Sequence, residues 1–318
     1  LQGKITKNDI HIRKWMSEIL QEESMKHSIH FFTISLILLL TGCAGTQVPF
    51  RHDIAESFDA ERIAYVAAGQ GKTALIWIHG WSCDGRYWQK QMSEFATTYE
   101  VIAIDLAGHG HSSLERSDYS MLSFAKDVQA VIEQEHLERV ILIGHSMGGG
   151  VIVQAARLTP KQVVGLIAID TLQNVGERVD PAVMEEMIKP FDSDFKRATQ
   201  DFVTPMFLEG ADPQLVHWVR QDMSSAPRHV ALSALRNYLG QFVTGEAASV
   251  FGEINIPVVS INARIWPSSP EENRKHINNY QLFYIEGTGH FPMLEKPEAL
   301  NRLIKKAIDA IEANGKEK

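Results

Sequence analysis

The stretch that most limits what this chain can fold into is Val140-Ile141-Leu142-Ile143-Gly144-His145-Ser146-Met147-Gly148-Gly149-Gly150. Its opening residues are β-branched or leucine, the composition of a short strand buried on both faces. The run then breaks into Gly-His-Ser-Met-Gly, which fits the Gly-x-Ser-x-Gly pattern of a sharp strand-to-helix turn. Val151 to Leu158 follow at helical spacing, with good helix formers in Ala155, Ala156 and Arg157. The glycines have a steric task. A serine in a strained turn needs neighbours without Cβ atoms, so that strand and helix approach closely. Its hydroxyl then stands above the sheet edge, beside the Met147 N–H at the positive end of the helix.

The flanking sequence supplies a sheet for that strand. Ile54 is where a folded pattern begins, and Arg62 to Ala68 alternates before the turn Gly69-Gln70-Gly71. Ala74 to Ile78, Tyr99 to Ile104, Val163 to Ile169, Pro257 to Ile261 and Gln281 to Ile285 read as further strands. Between them, Tyr87 to Thr98 and Met121 to Leu137 have helical spacing, and Pro297 to Ala313 is an amphipathic helix. Strands alternating with helices imply an α/β fold, with a mostly parallel sheet covered on both faces. Right-handed crossovers fix its winding. The rhythm stops between 174 and 250. There Pro181 to Phe191, Ser193 to Leu208 and Pro213 to Phe242 read as helices with no intervening strand. A helical insertion between two sheet strands sits at one end of the sheet, and we read it as a lid.

A length of 318 residues suits one large α/β domain carrying such an insertion. The formal net charge of -8 argues against nucleic acid as a partner, because phosphate binding needs a basic surface. No metal-ligand spacing appears among the 13 histidines, so no metal is expected.

The N-terminal region reads as an address. Met25-Lys26-His27 is a short positive start, and Phe31 to Leu40 is an apolar core too short to span a bilayer as a helix. Leu40-Thr41-Gly42-Cys43 then resembles the bacterial lipoprotein signal. That resemblance implies a lipid on Cys43, removal of the residues before it, and anchoring on the outer side of a bacterial envelope membrane. The alternatives are a plain cleavable signal or a buried helix. Residues 1–24 lie upstream of the plausible start, 25–43 form the signal, and 44–53 are a tether. A lipidated Cys43 could not pair with Cys83, the second of the two cysteines.

Four motifs in register carry a wider resemblance: His79-Gly80-Trp81, Gly108-His109-Gly110, Gly144-His145-Ser146-Met147-Gly148-Gly149 and Gly287-Thr288-Gly289-His290. Across 54–313 the chain resembles the α/β-hydrolase superfamily, in the lidded branch of small esterases, lactonases and carbon–carbon bond hydrolases. The resemblance places the core at 54–173 and 251–318 and the lid at 174–250. It implies Ser146 as nucleophile and His290 as its base, with backbone N–H groups of Trp81 and Met147 forming the oxyanion hole. His145 is expected to pack rather than react, and His79, His109 and His111 to be structural.

The triad acid departs from the common pattern. Many relatives carry an aspartate after the strand that here is Pro257 to Ile261, where this chain reads Asn262-Ala263-Arg264-Ile265-Trp266-Pro267. Other members place the acid one strand earlier, where this chain has Ile169-Asp170-Thr171. Asp170 is therefore the expected acid, keeping the chain order serine, acid, histidine. Glu271 and Glu272 are the reserve candidates, although their place after Pro270 resembles a first helical turn. The implied activity is cleavage of small carboxylic esters through an acyl-enzyme, without a cofactor. Lactone or carbon–carbon bond hydrolysis by the same residues and a catalytically quiet binding protein are the alternatives.

Overall fold

The computed structural model describes residues 48–315. The upstream extension 1–24, the signal 25–43 with Cys43, and positions 44–47 of the expected tether lie outside the described residues. Eight strands form one sheet in the order β1-β2-β4-β3-β5-β6-β7-β8. They are β1 (Arg51–Glu56), β2 (Arg62–Ala68), β3 (Ala74–Ile78), β4 (Glu100–Ile104), β5 (Val140–His145), β6 (Val163–Ile169), β7 (Val258–Asn262) and β8 (Tyr280–Tyr284). β2 is antiparallel to both neighbours, and every other pairing is parallel.

β1 was not expected as a strand, and its first residues correct the tether boundary: Arg51, His52 and Asp53 pair with β2 rather than trailing free. The reason is its place at the sheet edge. Only Ala55 of its six residues is buried, so no apolar alternation marks it. Charged residues such as Arg51, Asp53 and Glu56 are what an exposed edge carries to resist pairing with other chains.

The core helices are α1 (Gln89–Phe95), α2 (Met121–Gln134), α3 (Met147–Leu158) and, at the chain end, a long helix over Pro297–Gly315. Two glycines show that they cover opposite faces of the sheet. A Cβ on Gly144 would lie 2.9 Å from Ile152 of α3, and one on Gly165 would lie 2.5 Å from Ile311 of the terminal helix. Gly165 pairs with Ile141, three residues before Gly144, so the two glycines point to opposite faces. The apolar strand runs are buried accordingly; every residue of β3 and β5 is buried.

Between β6 and β7 lies the helical insertion: α4 (Pro181–Ser193), α5 (Phe195–Val203), α6 (Pro213–Met223), α7 (Arg228–Thr244) and the short α8 (Glu246–Ser249). Asp180 and Asp212 cap α4 and α6, each accepting a backbone N–H just past a proline at the first helical position. The single helix expected over Pro213–Phe242 is two. Pro227 has no N–H to donate and disfavours helical geometry at Ala226, so the chain turns at Ser224–Ala226. After β7 come α9 (Pro270–His276), then β8, α10 (Pro292–Glu295) and the terminal helix, α11 (Pro297–Gly315). Among the described residues no helix is long and apolar enough to cross a membrane.

Candidate active site

The carboxyl ends of β5 and β6 are side by side, with His145 opposite Ile169. Ser146 and Asp170 are the next residue on each, so sheet register alone sets the serine and the acid next to one another in space. Ser146 has φ 52° and ψ -120°, a strained geometry for a residue with a Cβ, worth about 1–3 kcal/mol. The neighbouring glycines permit it. A Cβ on Gly144 would lie 2.4 Å from the Gly148 carbonyl oxygen, and one on Gly148 would lie 2.7 Å from that of His79. The turn therefore presses the first turn of α3 against the His79-Gly80-Trp81 loop that follows β3.

Asp170 also has positive φ, at 44°, and so does Leu172, at 55°. Two buried asparagines hold this strained turn. Asn262 accepts the Thr171 N–H at 3.2 Å, and Asn273 donates to the Leu172 carbonyl at 2.6 Å while accepting the Val175 N–H at 2.9 Å. The Asp170 carboxylate is 1% exposed and committed on both oxygens. Oδ1 accepts the Ala263 N–H at 2.8 Å, and Oδ2 accepts the His290 Nδ1–H at 2.6 Å. Such a charge-assisted bond fixes the imidazole with Nδ1 protonated and Nε2 available as a base.

His290 sits in the loop after β8. Its N–H donates to the Met206 carbonyl at 2.8 Å, and its own carbonyl accepts from His145 Nε2–H at 2.8 Å. His145 is thus more than filler: it ties the residue beside Ser146 to the backbone of the histidine loop. Burial pushes its imidazole well below the ordinary range, and a charge on the neighbouring His290 would add to that, so His145 stays neutral. Trp266 is 38% exposed and stands edge-on to the His290 ring, with centroids 4.8 Å apart. Glu271 and Glu272 are not brought to His290; they open α9 and pair with Arg274 and Lys275.

On the other side of the serine, His79 pins the β3 loop. Its Nδ1–H donates to the Gly80 carbonyl at 2.8 Å and its Nε2 accepts the Leu106 N–H at 3.1 Å. Burial lowers the pKa of His79, and of His109 to about 3, so both are neutral spacers as expected. His111 is a loop residue paired with Asp105. Among the described residues, neither the Trp81 nor the Met147 N–H finds a protein acceptor. The Trp81 side chain points into the insertion instead. Its Nε1–H donates to the Ala231 carbonyl of α7 at 2.7 Å, and its ring meets Phe191, Phe195 and Phe202 edge-on. Cys83 is buried and free. No cluster of His, Cys, Asp or Glu among the described residues could hold a metal. A cavity of about 380 Å³ bordered by Lys72, Thr73, Tyr99 and Asp309 opens at the amino ends of the strands, away from this site.

A strained serine between strand and helix, a buried histidine–aspartate pair beside it and a mostly parallel sheet define the α/β-hydrolase class of fold. The family model described as "Alpha/beta hydrolase family" matches residues 75–303, and the chain belongs to that family. It is 26% identical over 262 residues to the dihydrolipoyllysine-residue acetyltransferase component of the acetoin cleaving system of Cupriavidus necator, covering 79% of this chain and 67% of that protein. It is 29% identical to a putative esterase/lipase of Haemophilus influenzae, covering 74% of this chain and 83% of that one. Some other curated relatives are matched over only 31% of their length. The solved structure of Est816, described as an N-acyl homoserine lactone degrading enzyme, superposes with a TM-score of 0.70 at 25% identity, covering 80% of this chain and 99% of that one.

Proposed function

We propose that this protein is a serine hydrolase that cleaves carboxylic esters of small apolar substrates through an acyl-enzyme on Ser146. The observation that carries this reading is the 2.6 Å bond from His290 Nδ1–H to the buried Asp170 carboxylate, next to the strained serine. In the first step His290 Nε2 takes the Ser146 proton as Oγ attacks the ester carbonyl. Asp170 stabilises the resulting imidazolium and holds its orientation. The unengaged N–H groups of Met147 and Trp81 receive the oxyanion, the first reinforced by the start of α3. His290 then gives its proton to the departing alcohol. In the second step the same histidine activates water, which releases the acid and restores Ser146.

The insertion serves as a lid. The aromatic nest of Phe191, Phe195 and Phe202 around Trp81 supports an apolar substrate side. A lactone is a cyclic ester and needs no other machinery, and the likeness to the lactone-degrading Est816 favours it as a second reading. The test is a panel of p-nitrophenyl esters and acyl lactones with Ser146→Ala beside it. Loss of at least ~10³-fold in kcat/KM is expected; unchanged turnover would remove Ser146 from the mechanism.

For location, we propose that Cys43 bears a lipid in the bacterial envelope. The short positive start at Met25-Lys26-His27, the apolar run from Phe31 to Leu40 and the Leu40-Thr41-Gly42-Cys43 sequence support that reading. Mass spectrometry of the membrane-extracted N-terminus tests this; a chain bearing no acyl group at Cys43 would refute it.

A further inference from the structure

Resting on the reading of His290 as the base, we infer that Glu295 is a positioning residue of this site, clamping the histidine loop from outside. The argument begins with what a general base requires. An imidazole hung on a loop delivers its proton only if the loop backbone is held to a fraction of an ångström, and loops by themselves are the least rigid elements. The loop here is glycine-rich, with Gly287 at φ +68° and Gly289 immediately before the histidine. Its intrinsic freedom is therefore large.

One carboxylate restrains that freedom on both sides of the histidine. Glu295 Oε2 accepts the Gly289 N–H at 3.0 Å, and Glu295 Oε1 accepts the Phe291 N–H at 3.1 Å. These are the N–H groups of the two residues on either side of His290. The remaining backbone groups of the histidine are bound independently, its N–H by Met206 and its carbonyl by His145. Glu295 itself is immobilised by its place in the single turn of α10, where its N–H bonds back to the Phe291 carbonyl at 2.9 Å. Loop and clamp are thus one closed ring, in which both carboxylate oxygens are used on backbone N–H groups of the residues flanking the reacting one. A carboxylate is suited to this task because it offers two acceptors and no donor. Glutamine can satisfy only one of the two N–H groups with its oxygen; alanine satisfies neither.

Both Glu295 carboxylate oxygens are committed to backbone, so its loss should fall on turnover rather than on binding. The experiment compares Glu295→Gln and Glu295→Ala with the parent and with Ser146→Ala, using a p-nitrophenyl ester. Active sites are counted by stoichiometric labelling with a fluorophosphonate. Per labelled site, kcat should fall by about 10-fold for the glutamine variant and about 100-fold for alanine, with KM within about twofold, the pattern of an interaction needed only in the transition state. A second readout needs no turnover: the low-field proton resonance of His290 Nδ1–H, sharp in the parent and in Ser146→Ala, should broaden or vanish in Glu295→Ala. Unchanged kcat per labelled site, or a loss confined to the fraction of sites that label, would overturn the inference. If the alanine variant does not fold, the glutamine variant decides by the same criteria. Should Ser146→Ala keep full activity, the hydrolase reading itself fails; full activity of the Glu295 variants beside a dead Ser146→Ala removes only the clamp.

Discussion

Replacing Asp170 with asparagine tests the site most sharply, because the structure dictates the size of the effect. The two carboxylate oxygens accept from the Ala263 N–H and from His290 Nδ1–H. An asparagine of the same shape has one acceptor and one donor to set against these two donors. If its oxygen keeps the Ala263 bond, its NH₂ faces Nδ1 and drives the imidazole proton to Nε2, where the histidine can no longer accept from Ser146. If it flips, the tautomer is kept but two N–H donors oppose each other in a site only 1% exposed, at about 1–3 kcal/mol. Either way the imidazolium loses its buried counter-charge. A fall of about 10³–10⁴ in kcat/KM, about 4–5 kcal/mol in the barrier, is expected. The assay is initial-rate hydrolysis of a p-nitrophenyl ester, with thermal unfolding to show that the variant is folded. A folded Asp170→Asn enzyme within tenfold of the parent would refute the assignment, and loss on changing Glu271 or Glu272 instead would move the acid to α9.

Other outcomes follow from burial and close contact. Gly148→Ala places a Cβ 2.7 Å from the His79 carbonyl oxygen, so α3 must draw back from the loop carrying Trp81. Esterase turnover should drop at least ~100-fold, an oxyanion-hole-sized loss, and parental kcat would disprove the contact's role. The buried neutral His109 makes the fold acid-sensitive. Its folded pKa of about 3 lies below the unfolded value of 6.5, so the unfolded chain binds the proton first and stability is lost as pH falls below 6.5. That is about 1.4 kcal/mol per pH unit, or about 2 kcal/mol by pH 5. Denaturant unfolding of His109→Asn should show a correspondingly shallower acid slope between pH 6 and 4; identical slopes would contradict it.

How much of this could be read beforehand depended on where the determining partner lies in the chain. The β5 strand, the elbow and the start of α3 are contiguous, and their residue types announce the turn. Asp170 was singled out by the family resemblance, which puts an acid at the end of one of two strands, together with Trp266 standing after the later one; its bond to His290 took the fold to bring about. β1 was not legible, since a strand exposed on nearly every side chain has no apolar rhythm to display. The break at Pro227 was written in the sequence, but the helical spacing on both sides of it reads as one continuous pattern. Glu295, Asn262 and Asn273 left no trace as site residues, because what they hold is backbone, and a backbone N–H has no residue identity to recognise.

The sequence by itself determined the strand–turn–helix around Ser146, the alternation that makes a parallel sheet, and which residues end its strands. These follow from local sterics and the two periodicities of buried side chains. Only the tertiary structure decided that Asp170 and not Glu271 or Glu272 meets His290, and that the Trp81 side chain belongs to the insertion. It also decided that the histidine loop is held by a carboxylate five residues further on. Those outcomes depend on distances between segments that the chain brings together only when the sheet closes, and no local preference encodes them.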